Sequence, residues 1–237
     1  MSDGIYVSMN GASARMAQLD SISDNLANTQ TPGFKSERPS FEAFLANADT
    51  KQDASKVYAA AVNTRVDLTP GTSVQTHEPL DVLPSGKAFI GVKTENGIAL
   101  TRNGHLVVSR DGTVTAAGLP VVDTEGRPIV APAGTHVTVQ PSGTVFANEV
   151  PIGKIGLFET TGALDRVAPS VLAPQDPRTL VTSTDHLRVG EIELGNSSPL
   201  EAAVQMVEAQ RHFETSIQAL QTYKKLDDAA VQVGRVH

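Results

Sequence analysis

Cysteine and tryptophan are absent from this chain of 237 residues, and aromatic residues make up only 4% of it. The lack of cysteine excludes disulfides, thiolate metal sites and thiol nucleophiles together. It leaves the compartment open, because a chain without Cys is at home on either side of a membrane. Few aromatics beside 19 Gly and 14 Pro argue against a thick helical core and suit many short strands and turns. There is no run of Lys and Arg, and the formal charge is −7 from 26 acidic and 19 basic residues, so neither nucleic acid nor an anionic membrane surface is an expected partner. No apolar run is long enough to cross a bilayer, and the start, MSDGIYVSMNGAS, lacks a basic segment followed by an apolar one. Membrane insertion is therefore not expected, and cytosolic residence is the default.

Catalytic and metal-binding patterns are equally sparse. The six histidines, at 77, 105, 136, 186, 212 and 237, form no HExxH pair and no set with metal-ligand spacing. Asp185 and His186 are adjacent, but no GxSxG elbow accompanies them, and no Walker or GxGxxG pattern follows a strand. Asp227 and Asp228 are neighbours and point to different faces of a helix, as a solvated helix end would have them. No catalytic residue, cofactor or metal is predicted.

What is present is a change of period along the chain. Ile5, Met9, Ala12, Met16, Leu19, Ile22 and Leu26 recur in steps of three and four, a helical stripe near the 3.5-residue period. The stripe meets Thr31-Pro32-Gly33, where the residue before Pro is pushed out of the α region and Gly admits a left-handed turn. Residues 46–80 are polar and Ala-rich and read as an extended connector. From about Pro79 the turn dipeptides Asn96-Gly97, Asn103-Gly104, Asp111-Gly112, Glu125-Gly126 and Ser142-Gly143 separate short β-prone runs, which predicts antiparallel strands. Ser198 with Glu201 resembles a capping box, Pro199 suits a first helical position, and Leu200, Val204, Val207, Phe213, Ile217, Leu220 and Tyr223 mark a second long helix.

The expected fold is α+β: an N-terminal coiled-coil helix over 1–34, an extended connector over 35–78, a β-rich outer domain over 79–195 and a C-terminal coiled-coil helix over 196–237. Two amphipathic helices packed only on each other leave apolar surface wet. The pattern therefore leans towards an assembly built from the termini of many subunits, the alternative being an intramolecular hairpin with no assembly role.

The segment IYVSMNGASARMAQLDSISDNLANTQTPGFKSERPSFEAF resembles the N-terminal signature of the flagellar rod and hook family of axial proteins. That signature places Asn25, Leu26, Ala27, Asn28, Thr31, Pro32, Gly33, Phe34 and Lys35, with Asp24 where the family most often has Asn. Pro79-Leu80-Asp81-Val82, LTRNGHLVVSRDG (100–112) and GKIGLFE (153–159) are similar to family motifs, as is the C-terminal helix through Met206, Val207, Arg211, Phe213 and Glu214. The chain departs from the family at Ser85-Gly86-Lys87-Ala88-Phe89 and over Glu193–Ser198. Its short length and brief segment between Lys35 and Pro79 resemble the proximal-rod member more than the distal-rod or hook proteins.

The resemblance implies a structural subunit of a hollow, torque-transmitting rod that crosses the periplasm in the bacterial flagellar basal body. It implies export through the flagellar type III apparatus without a cleaved signal, and partners that are other copies of the chain and neighbouring rod proteins. The expected inner-layer assembly residues are Ile5, Met9, Met16, Leu19, Leu26, Val204, Val207, Phe213, Ile217 and Leu220. Asn25, Asn28, Thr31, Pro32, Gly33 and Phe34 are expected to form the corner where the first helix stops. A distal-rod paralogue or a free-standing β-rich binding module are the alternatives.

Overall fold

The computed structural model describes residues 2–45 and 57–234. They form two units, one of residues 1–27, 37–65 and 198–237, the other of residues 28–36 and 66–197, so the chain passes between units four times.

The first unit holds helix α1 (Ser2–Ala27), helix α2 (Pro199–Gly234) and a two-stranded sheet of Glu37–Leu45 and Val57–Val66. α2 starts on Pro199, whose missing N–H costs nothing at a first helical position. The Glu201 N–H donates to Ser198 Oγ (3.5 Å) and the Ala202 N–H to the Ser198 carbonyl (2.9 Å), so Ser198 caps the helix. The helices pack on each other through Ile22, Ala202 and Ala209, with Leu19, Leu26 and Met206 at the margins.

This seam corrects the expected coiled-coil layer. Among the described residues there is one helix pair, with few buried side chains between the helices, and no extended layer. Met9 (50% exposed), Met16 (58%), Val204 (52%) and Val207 (49%), expected as inner-layer assembly residues, lie outside this seam and are exposed in the single chain. On α2 the covered line runs through Ala202, Met206, Ala209, Phe213, Ile217 and Leu220, so it passes through small residues that a search for bulky apolar side chains overlooks. Ala at 202 and 209 permits close approach of the backbones, and this places the seam a part-turn away from Val204 and Val207.

The second unit is β-rich and antiparallel throughout its named pairings. Its largest sheet has six strands in the order Leu164–Ala168, Val171–Pro174, Gly97–Thr101, Phe89–Thr94, Leu157–Thr160 and Leu180–Thr182. Side chains alternate across a strand, and here the alternation separates two cores. Ile90, Ala99, Leu157 and Val171 join one cluster with Val82, Leu106 and Val114, whereas their sequence neighbours Phe89, Leu100, Phe158 and Leu172 join a second with Val122. Strand pairing aligns the layers, with Leu157 opposite Ile90, Phe158 opposite Phe89 and Leu172 opposite Leu100. Gly91 lacks a side chain for a packing reason: a Cβ there would lie 2.4 Å from the Phe158 ring and 2.9 Å from Val122.

The turn glycines at 112 and 143 adopt positive φ (85° and 84°) between paired strands. Asn103-Gly104 is different. It joins Gly97–Thr101 to Leu106–Val108, which lie in separate sheets, and a Cβ on Gly104 would meet the Val82 carbonyl at 1.5 Å. Close backbone approach, and no hairpin, is what requires glycine at that position.

Ile90→Ala should cost about 2–5 kcal/mol because its cavity opens in a closed core. Met16→Ser, on an exposed face, should stay within about 0.5 kcal/mol. Denaturant midpoints measured on the two variants check both expectations.

Candidate functional site: a buried ionic knot beside the helix-stop corner

The corner follows α1 directly. The last helical residue is Ala27, five residues before Pro32, and the chain then turns on itself. The Thr31 N–H donates to the Asn28 carbonyl (3.0 Å), Thr31 Oγ1 to Asn28 Oδ1 (3.1 Å) and the Phe34 N–H to the Thr31 carbonyl (3.2 Å). Gly33 sits at φ 69°, where a Cβ would come within 2.0 Å of the Asn103 backbone nitrogen, so both conformation and space require glycine. Phe34 is 1% exposed, and the Arg166 guanidinium lies 4.6 Å above its ring while donating to the Lys35 carbonyl. Pro32 is half-buried. Within the helical unit, Asn25 Nδ2 donates to the Glu37 carbonyl (2.8 Å) and Asn25 Oδ1 accepts from the Glu37 N–H (2.9 Å), so one amide side chain pairs with both backbone polar groups of Glu37.

Behind Phe34 lies the most polar part of the β-rich unit's interior. Lys35, Arg102 and Glu193 are 2%, 6% and 2% exposed. Lys35 Nζ donates to Glu193 Oε1 (2.6 Å) and to the Thr69 carbonyl (2.7 Å). Arg102 reaches Glu193 Oε2 through Nε (2.8 Å) and Nη2 (2.7 Å), and its Nη1 donates to the Ala88 carbonyl (2.5 Å). The Gly71 N–H completes the carboxylate at 2.8 Å. Burial on its own would raise the Glu193 carboxyl, but the Gly71 N–H and the Lys35 and Arg102 cations outweigh it and hold the group below the ordinary carboxylate range. Lys35 is held below the ordinary lysine range, chiefly by burial, with Arg102 opposing its charge and Glu193 favouring it. One carboxylate thus serves two cations, and every bond it accepts matters.

Asn196 extends the network. Its Oδ1 accepts from the Ser36 N–H (2.6 Å) and its Nδ2 donates to the Asp67 (2.8 Å) and Thr69 (3.1 Å) carbonyls. The knot therefore gathers three stretches of the β-rich unit, around 33–36, 67–71 and 193–196, each of which leads towards a passage to the other unit. A cavity of about 500 Å³ opens beside it, lined by Leu68, Pro70, Lys87, Phe89 and Thr160 as well as by Lys35 and Arg102. Lys35 and Arg102 hold their bonds within the knot, which suits cohesion better than chemistry. Among the described residues, no group of three or more His, Asp or Glu is placed to hold a metal ion, and no helix is long and apolar enough to cross a membrane.

The expected assembly residues are dispersed. Leu19 and Leu26 line the helix seam, Phe213, Ile217 and Leu220 are half-buried, and Met9, Met16, Val204 and Val207 are exposed. The Ile5 side chain lies outside the described residues. Of the expected corner residues, Asn28, Thr31, Gly33 and Phe34 share one turn, and Asn25 binds Glu37. Sequence reasoning missed the roles of Lys35, Arg102, Glu193 and Asn196. The available signal was a charged residue within each quoted motif, Lys35 after Thr-Pro-Gly-Phe and Arg102 before Asn-Gly, while Glu193 and Asn196 lay in a stretch noted only for its departures.

Glu193→Gln leaves two buried cations without their counter-charge and should cost about 3–5 kcal/mol. A carboxyl whose folded pKa lies below the unfolded one contributes fully above the unfolded value, about 4.3, and loses that contribution as pH falls through the folded value. Denaturant titrations should therefore show the gap between the original chain and the variant narrowing from about pH 7 to about pH 3.

Comparison with known proteins joins the two ends of the chain to one family. The family described as "Flagella basal body rod protein" matches residues 5–35, and "Flagellar basal body rod FlgEFG protein C-terminal" matches residues 189–233. Lys35 falls in the first span, and Glu193 and Asn196 in the second. The flagellar basal-body rod protein FlgF of Salmonella typhimurium is 30% identical, over 98% of both chains. FlgF of Escherichia coli K12 is 29% identical over 97% of this chain and 96% of its own, and FlgF of Mesorhizobium japonicum 27% over 99% of both. With the similarity running from end to end, the chain belongs to the FlgF-like family of flagellar basal-body rod proteins.

Proposed function

We propose that the chain is a structural subunit of the bacterial flagellar basal-body rod that joins other copies of itself and neighbouring rod proteins through apolar residues of its terminal helices. The supporting observation is the set of large apolar side chains left in the open on both helices. Met9 and Met16 on α1 are joined by Leu200 (76% exposed), Val204, Val207, Tyr223 and Leu226 on α2. Exposed apolar side chains repeated along helices favour protein contact. Ile5, Leu19, Leu26, Phe213, Ile217 and Leu220 complete the proposed assembly residues, those on the seam acting by holding the pair together. Asn25, Asn28, Thr31, Pro32, Gly33 and Phe34 act as the corner that ends α1 at a set point.

The role is mechanical and not catalytic: torque passes through subunit contacts around a hollow rod. Residence in the rod as it crosses the periplasm, and delivery by the flagellar type III export apparatus, belong to the same reading and are supported by family membership. End-to-end similarity to proteins named FlgF favours the proximal rod over the distal-rod paralogue.

Val204→Asp combined with Val207→Asp places two charges on the exposed face of α2. The isolated chain should keep its melting behaviour, with each change within about 0.5 kcal/mol, while rod assembly and motility are lost in cells that carry only this variant. Normal motility would remove the exposed face from the assembly surface.

A further inference from the structure

We infer that Glu193 and Asn196 are positioning residues that make the docking of the N-terminal corner (33–36) and of the segment before α2 (193–196) on the β-rich unit mutually dependent. Neither segment has a complete set of partners without the other. The Gly33 N–H donates to the Glu193 carbonyl (2.7 Å), the Ser36 N–H to Asn196 Oδ1 (2.6 Å) and the Asn196 N–H to the Phe34 carbonyl (3.4 Å). Lys35 is buried with its charge set against Glu193, and Glu193 in turn is buried between Lys35 and Arg102. The middle stretch is shared by both: the Asp67 N–H donates to the Ser36 carbonyl (2.8 Å), Lys35 and Asn196 both bind the Thr69 carbonyl, and the Leu194 N–H donates to the Thr72 carbonyl (2.9 Å). Removing the segment before α2 strands the buried Lys35 charge, which is not tolerated unpaired, and removing the corner takes from Glu193 one of its two cations and leaves it with Arg102 and the Gly71 N–H. The coupling is reciprocal, as any equilibrium linkage between two sites must be.

The consequence for assembly rests on the rod-subunit reading. A subunit presents both of its helix-bearing ends from a docked state or neither, so a chain with one end undocked does not enter the rod half-anchored. The coupling itself is a property of the isolated chain and is tested without assembly.

Hydrogen exchange on the full-length chain measures it. Glu193→Gln should speed exchange of the Gly33 and Ser36 amides, whose own bonding partners the substitution leaves in place, by about ten-fold or more. The Gly91 and Val122 amides, bonded within the sheet core, should keep their rates. In the reverse direction, Lys35→Met should speed the Gly71 and Leu194 amides. If Glu193→Gln prevents folding, Asn196→Ala decides the matter through the Gly33 amide, which it does not contact. Unchanged exchange at Gly33 in these variants, or a rise shared equally by Gly91 and Val122, overturns the coupling. Faster exchange confined to the partner segment supports it, whatever the motility of the same variants shows about the rod.

Discussion

A single carboxylate, that of Glu193, carries two buried cations and a backbone N–H, and the ends of the β-rich unit depend on it. Charge of this kind is costly to bury, and it persists in a fold only where geometry supplies almost every bond. Here those bonds come from three stretches distant in sequence, with Lys35 and Glu193 separated by 158 positions. Such a long loop is expensive in chain entropy to close. A site that requires a particular partner at that distance specifies the closure more sharply than apolar contact does, because an apolar residue accepts many neighbours and a buried carboxylate very few.

The sheet that supports this knot has a different logic. Its strands are short, yet four pairs of adjacent residues divide cleanly between two cores, so the four central strands are bound on both faces. Arg102 follows the end of Gly97–Thr101 in this sheet, and Thr101 Oγ1 donates to the Ser170 carbonyl beside it (2.5 Å). The cation is thereby held by a rigid strand, and the mobile reach of an arginine side chain is reduced before it meets Glu193. The corner side contributes in kind: Gly33 allows the backbone to approach Asn103, and Arg166 lies over the Phe34 ring while donating to the Lys35 carbonyl.

The helices obey weaker constraints. Their mutual seam has Ile22 and two alanines as its buried cluster, and large side chains such as Met9, Met16, Val204 and Val207 stay exposed. On the proposed reading these exposed side chains are the surface that meets neighbouring subunits.

Much of this was legible in the sequence. The two helices, the β-rich middle and the cap at Ser198 follow from local period and turn chemistry, because a helix or a hairpin is decided largely by residues within a few positions of one another. The motifs at both ends also carried the family. The seam was not legible: Ala202 and Ala209 are buried and Val204 and Val207 are not, since the face a helix turns inwards depends on how closely its neighbour can approach. Nor was the knot, for Lys35, Arg102 and Glu193 are ordinary surface residues in any local window. The sequence by itself determined which segments become helix and strand; only the tertiary structure decided that three charges from three segments share one interior, because the free energy of a buried charge is set by what surrounds it in space and not by its neighbours along the chain.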